Sequence, residues 1–320
     1  MLHTEITGVQ FYGLANSLPT EKRKSTLEGE DFFVSAEEQT TSDLGYNAAN
    51  RLIAHLNIPK EAFGFLLFSS KTPDYRSPIT AAVLQARLEF PVDCICYDVN
   101  LGNNAFIQMI QLGASVLKNQ NKKYGLLIFG DTPSKLRSES PDRNFEISDA
   151  ATAIVLKKSC DTDFIHIQNI TAGDKYQAHI LRSGGFRDFS ATKPFDSTDL
   201  NNFVVREKEE LFKEALQVNI TELMTFSVAT DQVFWHSSIA KRIKNHPKEV
   251  ITSNLLANAS ELPMSLVERI HQMKEDSPIG FCSTGEGIAL FMMRINHKPI
   301  CIETTHTNEF FADYQVSHEM

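Results

Sequence analysis

Residues 94–112, CICYDVNLGNNAFIQMIQL, hold two periodicities in succession. The first residues make a short apolar run with aromatic and β-branched side chains, the mark of a buried strand. Phe106, Met109, Ile110 and Leu112 then recur at helical spacing. A strand therefore passes directly into a helix, with Leu101, Gly102, Asn103 and Asn104 at the corner. Such a corner holds one side chain at a helix N-terminus, where unpaired backbone N–H groups and the helix dipole favour negative charge. Folds present nucleophiles in this way. Here the presented residue is Asn103, and a neutral carboxamide does not do a nucleophile's work in acyl transfer.

Outward from this stretch the chain alternates strands and helices. Residues 5–13 read as a first strand, followed by a polar connection to about residue 41. A helix is expected from Ser42, after the N-cap candidates Thr40 and Thr41, and Ile58-Pro59 stops it. FGFLLFS at 63–69 is a buried strand, 72–78 a loop and 79–88 a helix. Strands follow at 123–131 and 151–158, with a loop at 132–144 between them. In the second half, 164–173 alternates as a half-exposed strand, 176–205 is irregular and 205–218 is an amphipathic helix. Val233 to Ile243 is again a strand entering a helix; a further helix spans 264–273, and 279–295 holds a glycine turn and a closing strand. The order is that of an α/β protein whose two halves end alike, with a junction near residue 165.

The whole chain has 320 residues, enough for two similar domains or one large α/β unit. With 42% hydrophobic and 22% charged residues it has ordinary globular composition. A net charge of −9 argues against a broad nucleic-acid surface, which needs clustered Lys and Arg. The cysteines at 94, 96, 160, 282 and 301 lack zinc-site spacing and read as reduced thiols. No metal and no cofactor are expected. The N-terminus lacks the basic and apolar regions of a signal peptide, and no run reaches the roughly 18 apolar residues of a membrane span. A cytoplasmic protein is expected.

Several strings together resemble the thiolase superfamily, most closely the beta-ketoacyl-acyl-carrier-protein synthases III. Asp98-Val99-Asn100-Leu101-Gly102-Asn103-Asn104-Ala105-Phe106 follows that family's nucleophile corner, with Asn103 where the cysteine belongs. TTSDL at 40–44, TPDYRSPITAAVLQARL at 72–88 and Asp142-Arg143 followed by ISDAATAIVL keep the family's order. FWHSSIAKRI places His236 on the family's histidine, and Gly285-Glu286-Gly287 resembles the glycine turn of the last strands. The resemblance covers about residues 5–295. It implies an αβαβα fold of two pseudo-symmetric halves, 1–165 and 166–320, in which mixed five-stranded sheets sandwich buried helices.

The resemblance also implies a chemistry. In the family, cysteine takes the acyl group while histidine and asparagine act on the extender, and backbone N–H groups form an oxyanion hole. Carried over, His236 is retained, Gly287 is an oxyanion-donor candidate and the cysteine is replaced by Asn103. The family's second asparagine falls at Leu256, with Asn254 and Asn258 close by. The arm that grips coenzyme A in relatives has no counterpart between Pro19 and Thr40. Lys241, Arg242, Lys244 and Lys248 resemble a docking surface for an acidic acyl carrier protein, and a solvated helix face reads equally well. The partners implied are acyl carrier protein or acyl-coenzyme A thioesters and a homodimeric or heterodimeric mate. Asn103 leaves three readings open: natural loss of the nucleophile, a carboxamide that polarises a carbonyl without covalent catalysis, or an engineered replacement of a cysteine. The functions that follow are a synthase III-like acyltransferase of fatty-acid or polyketide-type biosynthesis, a noncatalytic partner of an active paralogue, and an acyl-chain binding protein.

Overall fold

The computed structural model describes residues 2–24, 31–136, 147–160, 165–178, 230, 232–240, 250–274, 277–285 and 289–312. In chain order its strands are β1 (Leu2–Ile6), β2 (Val9–Pro19), β3 (Glu21–Arg23), β4 (Phe32–Val34), β5 (Phe63–Ser69), β6 (Ile95–Asp98), β7 (Tyr124–Asp131) and β8 (Ala150–Lys158). They continue as β9 (Ile165–Thr171), β10 (Gln232–Trp235), β11 (Val250–Ile251), β12 (Ile279–Gly285), β13 (Ala289–Ile295), β14 (Ile300–Cys301) and β15 (Thr305–Thr307). The helices are α1 (Thr41–His55), α2 (Thr80–Arg87), α3 (Ala105–Lys118), α4 (Ser237–Ala240) and α5 (Glu261–Arg269).

Among the described residues two mixed sheets carry the fold, one ordered β14-β2-β8-β7-β5-β6 with β15 also on β2, the other β1-β9-β13-β12-β10-β11. Their inner patterns correspond. β5 runs parallel to both β6 and β7, as β10 does to β11 and β12, and β8 and β13 close each group antiparallel. The expected five-stranded sheets are present as β2-β8-β7-β5-β6 and β9-β13-β12-β10-β11, extended by β14 and β15 at one edge and β1 at another. Each added strand satisfies edge N–H and C=O groups that would otherwise stay open.

α3 lies between the sheets, and its apolar residues Phe106, Ile107, Met109, Ile110 and Leu117 share one core with Leu127, Phe129 and Ile154 on one side and Ile167, Phe281 and Met293 on the other. A helix buried on both sides must be apolar nearly all round, as this one is. α1 and α2 cover the opposite face of the first sheet through Ala48, Leu52, Ala81 and Leu84. α4 covers the outer face of the second, where Ile239 packs on Val233, Trp235, Cys282 and Met292. The expected helix at 205–218 lies outside the described residues.

The structure departs from the sequence reading in several places, first at β6, which is expected as a buried strand and is an edge strand with its residues half-buried or exposed. The single strand expected at 5–13 is two, because Gly8 takes φ +72° and sends the chain from the second sheet to the first. The polar connection after Pro19 contains β3 and β4, paired antiparallel. The helix expected from Met264 starts at Glu261, with Pro263 in its first turn, where a missing N–H costs no intrahelical bond.

Candidate functional site

The first corner is set by backbone and core. Asp98 at the end of β6 accepts the N–H groups of Thr80 and Ala81 at 2.7 and 2.8 Å, which ties the strand to the start of α2. The chain then turns through Gly102, at φ +55°, a conformation that glycine adopts without the penalty a Cβ brings. A 3-10 turn over Gly102–Asn104 leads into α3. Asn104 is buried and accepts the Ser283 hydroxyl at 2.7 Å. Gly285 passes so close to the Asn104 side chain that any Cβ there would strike it. Asn103 itself is half-buried, and its Oδ1 accepts a hydrogen bond from Lys71 Nζ at 3.0 Å.

The second corner is set by side chains. His236 follows β10 and is 4% exposed, with its backbone N–H on Cys282 O at 3.0 Å. Its Nε2 faces Asn258 O at 3.0 Å, and a carbonyl can only accept, so Nε2 carries the proton. Nδ1 then accepts, from the Ser238 N–H at 3.3 Å and the Ser238 hydroxyl at 2.7 Å. Ser238 Oγ in turn meets Thr284 Oγ1 at 3.0 Å. Glu261, 1% exposed, accepts the Ser237 N–H at 2.6 Å and hydroxyl at 3.0 Å and places Oε2 3.6 Å from His236 Nε2.

The fold brings these corners together. The turn at Gly102–Asn104 packs against both β12 and the 3-10 turn at Asn258–Ser260, whose first carbonyl holds His236. Beneath them Phe106 meets Phe281 edge-on, with ring centroids 5.0 Å apart, and Phe281 stacks on Phe234 at 5.5 Å. Of the candidates for the second asparagine, Asn254 is exposed, Leu256 is half-buried, and Asn258 approaches His236 through its backbone oxygen. Gly287 and the basic cluster Lys241, Arg242, Lys244 and Lys248 lie outside the described residues, as does Asp142-Arg143.

Beside the first corner is a cavity of about 710 Å³ lined by Phe68, Lys71, Tyr75, Arg76, Asp98 and Val99 among others. Desolvation holds the carboxyl of Asp74, also in its wall, above the usual carboxylate range. Sequence reasoning missed Lys71 and Glu261. Lys71 had a signal, a cation just past the carboxyl end of a buried strand, where open α/β sheets gather ligand groups. Glu261 had none. Cys282 is buried against α4, and burial pushes its thiol well above the ordinary range, so it is no substitute nucleophile. Among the described residues no group of three or more His, Cys, Asp and Glu is placed to hold a metal ion, and no helix is long and apolar enough to cross a membrane.

No protein-family model matches the chain. Individual proteins do. A beta-ketoacyl-acyl-carrier-protein synthase III of Clostridium perfringens is 23% identical over 322 residues, covering 90% of this chain and 97% of the relative. The fold agrees: the crystal structure of a 3-oxoacyl-acyl-carrier-protein synthase from Burkholderia xenovorans superposes with a TM-score of 0.80 at 20% identity, covering 96% of this chain and 99% of that one. The chain is similar to the beta-ketoacyl-acyl-carrier-protein synthases III and shares their thiolase-like fold. A Xanthomonas campestris OleA variant shares the fold at a TM-score of 0.72 and 18% identity, over 91% of this chain and 97% of that one. The synthase III of Campylobacter curvus is 30% identical over 187 residues, which is 57% of this chain and 54% of the relative, so the chain spans about half of that relative's length.

Proposed function

We propose that the chain handles acyl thioesters of fatty-acid or polyketide-type biosynthesis, delivered by acyl carrier protein or coenzyme A, without forming an acyl-enzyme at position 103. The observation that carries this reading is the pairing of a retained corner with an altered side chain. The strand, the left-handed glycine and the buried helix that present residue 103 are all in place, and the residue presented is a carboxamide held by Lys71. His236 orients or activates the acyl acceptor in this reading, in competition with the Asn258 carbonyl for its Nε2 proton. Gly287 supplies an oxyanion N–H, and Lys241, Arg242, Lys244 and Lys248 form the carrier-protein surface. The halves 1–165 and 166–320 act as one unit in the cytoplasm.

A second reading, a noncatalytic subunit that completes the tunnel of a cysteine-bearing paralogue, is favoured by the first sheet's edge. Among the described residues β6 pairs with β5 alone and leads straight into the corner, and Val92, Tyr97, Tyr75 and Ile79 lie exposed around it. Two copies, or this chain and a paralogue, would pair along that edge.

Intact-protein mass after incubation with a panel of acyl thioesters tests the proposal, with the chain and an Asn103→Cys variant side by side. The variant is expected to gain one acyl mass and the chain none. Acylation of the chain mapped to residue 103 would overturn the reading. Failure of both, followed by acylation of a co-purified cysteine-bearing partner, would put the second reading first.

A further inference from the structure

Lys71 and Asn103 invert the polarity of the corner. An ammonium carries three donors and no acceptor, so whatever else Lys71 touches, it meets Asn103 only through Oδ1. That contact fixes the amide's orientation. The Nδ2 donors of Asn103 are turned to the other side of the carboxamide, and they have no partner among the described residues. Where a thiolate would offer a lone pair to an electrophilic carbon, this corner offers a cationic and a neutral donor side by side.

Lys71 also links the corner to the cavity, because its side chain lines the one while its Nζ reaches the other. Its place is fixed from behind, since Asp131, 3% exposed, accepts the Lys71 backbone N–H at 2.7 Å. Phe68, Pro73, Tyr75 and Val99 give the cavity an apolar wall. Its wall carries Lys71, Arg76 and Lys135 together with the carboxyl groups of Glu37, Asp74 and Asp98. Asp98 is taken by the start of α2, Asp74 accepts the Ser42 hydroxyl, and Lys135 donates to the carbonyls of Ala36 and Glu37.

We propose that Lys71 and Asn103 form a recognition site for the carboxylate of an acyl chain, bound without covalent attachment. Two donors on neighbouring side chains suit the two oxygens of a planar carboxylate, and a charge-assisted bond from the ammonium supplies most of the discrimination. The step rests on the acyl-ligand reading of the same site and goes beyond it by naming the free acid, besides the thioester, as a ligand.

Titration calorimetry on the full chain tests it, with sodium hexanoate, octanoate and decanoate, their methyl esters, and neutral S-acyl-N-acetylcysteamine thioesters of matched length. Each acid is expected to bind at least about tenfold more tightly than its ester, an advantage that salt reduces. Lys71→Met should remove that advantage, bringing acid and ester to within about twofold of each other, and Lys71→Arg should restore most of it, so a mere folding defect is distinguished from loss of the charge. Equal affinity for acid and ester, indifference of acid binding to Lys71→Met, or absence of acid binding would overturn the proposal. Thioester binding without a preference for acids would do so while leaving the acyl-ligand reading standing. If none of the three kinds of ligand bound, both would fall.

Discussion

At the first corner Asn103 has, among the described residues, one hydrogen bond, to a lysine two residues beyond β5; at the second, His236 has both ring nitrogens engaged by Ser238 and Asn258. The two are built from different materials. Gly102, the ladder of β6 on β5 and the buried face of α3 shape the first corner, and none of these passes through the side chain of residue 103. The second corner runs through the presented residue itself, with Ser238, Thr284, Asn258 and Glu261 arranged around the imidazole. A corner held by backbone and apolar packing keeps its shape when its presented residue changes. A corner held by polar bonds to that residue does not. This contrast gives a physical account of how asparagine can stand at position 103 while the surrounding fold remains that of the synthases.

Removing the apolar support is the harshest test. Phe106 is fully buried, edge-on to Phe281 and to Phe11, and it is the ring through which the first corner rests on the strand beside His236. Phe106→Ala should cost about 3–5 kcal/mol in urea unfolding, from lost burial plus the cavity left behind. A loss below about 1 kcal/mol would mean that the corner does not rest on this ring, and the contrast would lose its first half.

The next test removes polar support from the second corner. Glu261→Ala takes the acceptor from the Ser237 N–H and hydroxyl, whose bonds to the buried carboxylate are part-buried. Unfolding should register a loss of about 1–2 kcal/mol, since donors left without their carboxylate in a half-buried place bear part of the desolvation cost. Proton NMR of the imidazole should at the same time report a changed environment for His236. An unchanged ring signal would show that Glu261 supports the loop and not the histidine.

What the sequence disclosed follows the same division. Residues 94–112 were legible because a strand, a turn and a helix are local features, each announced by its own periodicity, and the buried strand Phe63–Ser69 falls where its apolar run lies. The place of His236 at the end of a strand was legible through a short string around it. Lys71 and Glu261 were not, because each gains its meaning from a partner 32 or 24 residues away in the chain. The short strands β14 and β15 escaped for the same reason: they lie on β2 of the opposite terminus, and nothing in their own few residues announces that pairing. The break at Gly8 is a different failure, an alternating pattern read straight through a residue whose backbone turns left-handed.

The finest discrimination lies within the first corner, between Gly102 and the residue after it. Gly102→Ala forces a Cβ into a left-handed conformation, at a cost of about 1–2 kcal/mol, and tilts the entry to α3. Asn103→Ala removes one half-buried side chain whose single bond is to a lysine, and should change stability by no more than about 0.5 kcal/mol. Urea unfolding of the pair therefore separates a corner made by its backbone from one made by its side chain. If Asn103→Ala proved the costlier of the two, the asparagine would be a structural replacement that the fold has come to need, and cysteine could not be restored there without a compensating change at Lys71. The reverse order leaves residue 103 available to whatever ligand the corner receives.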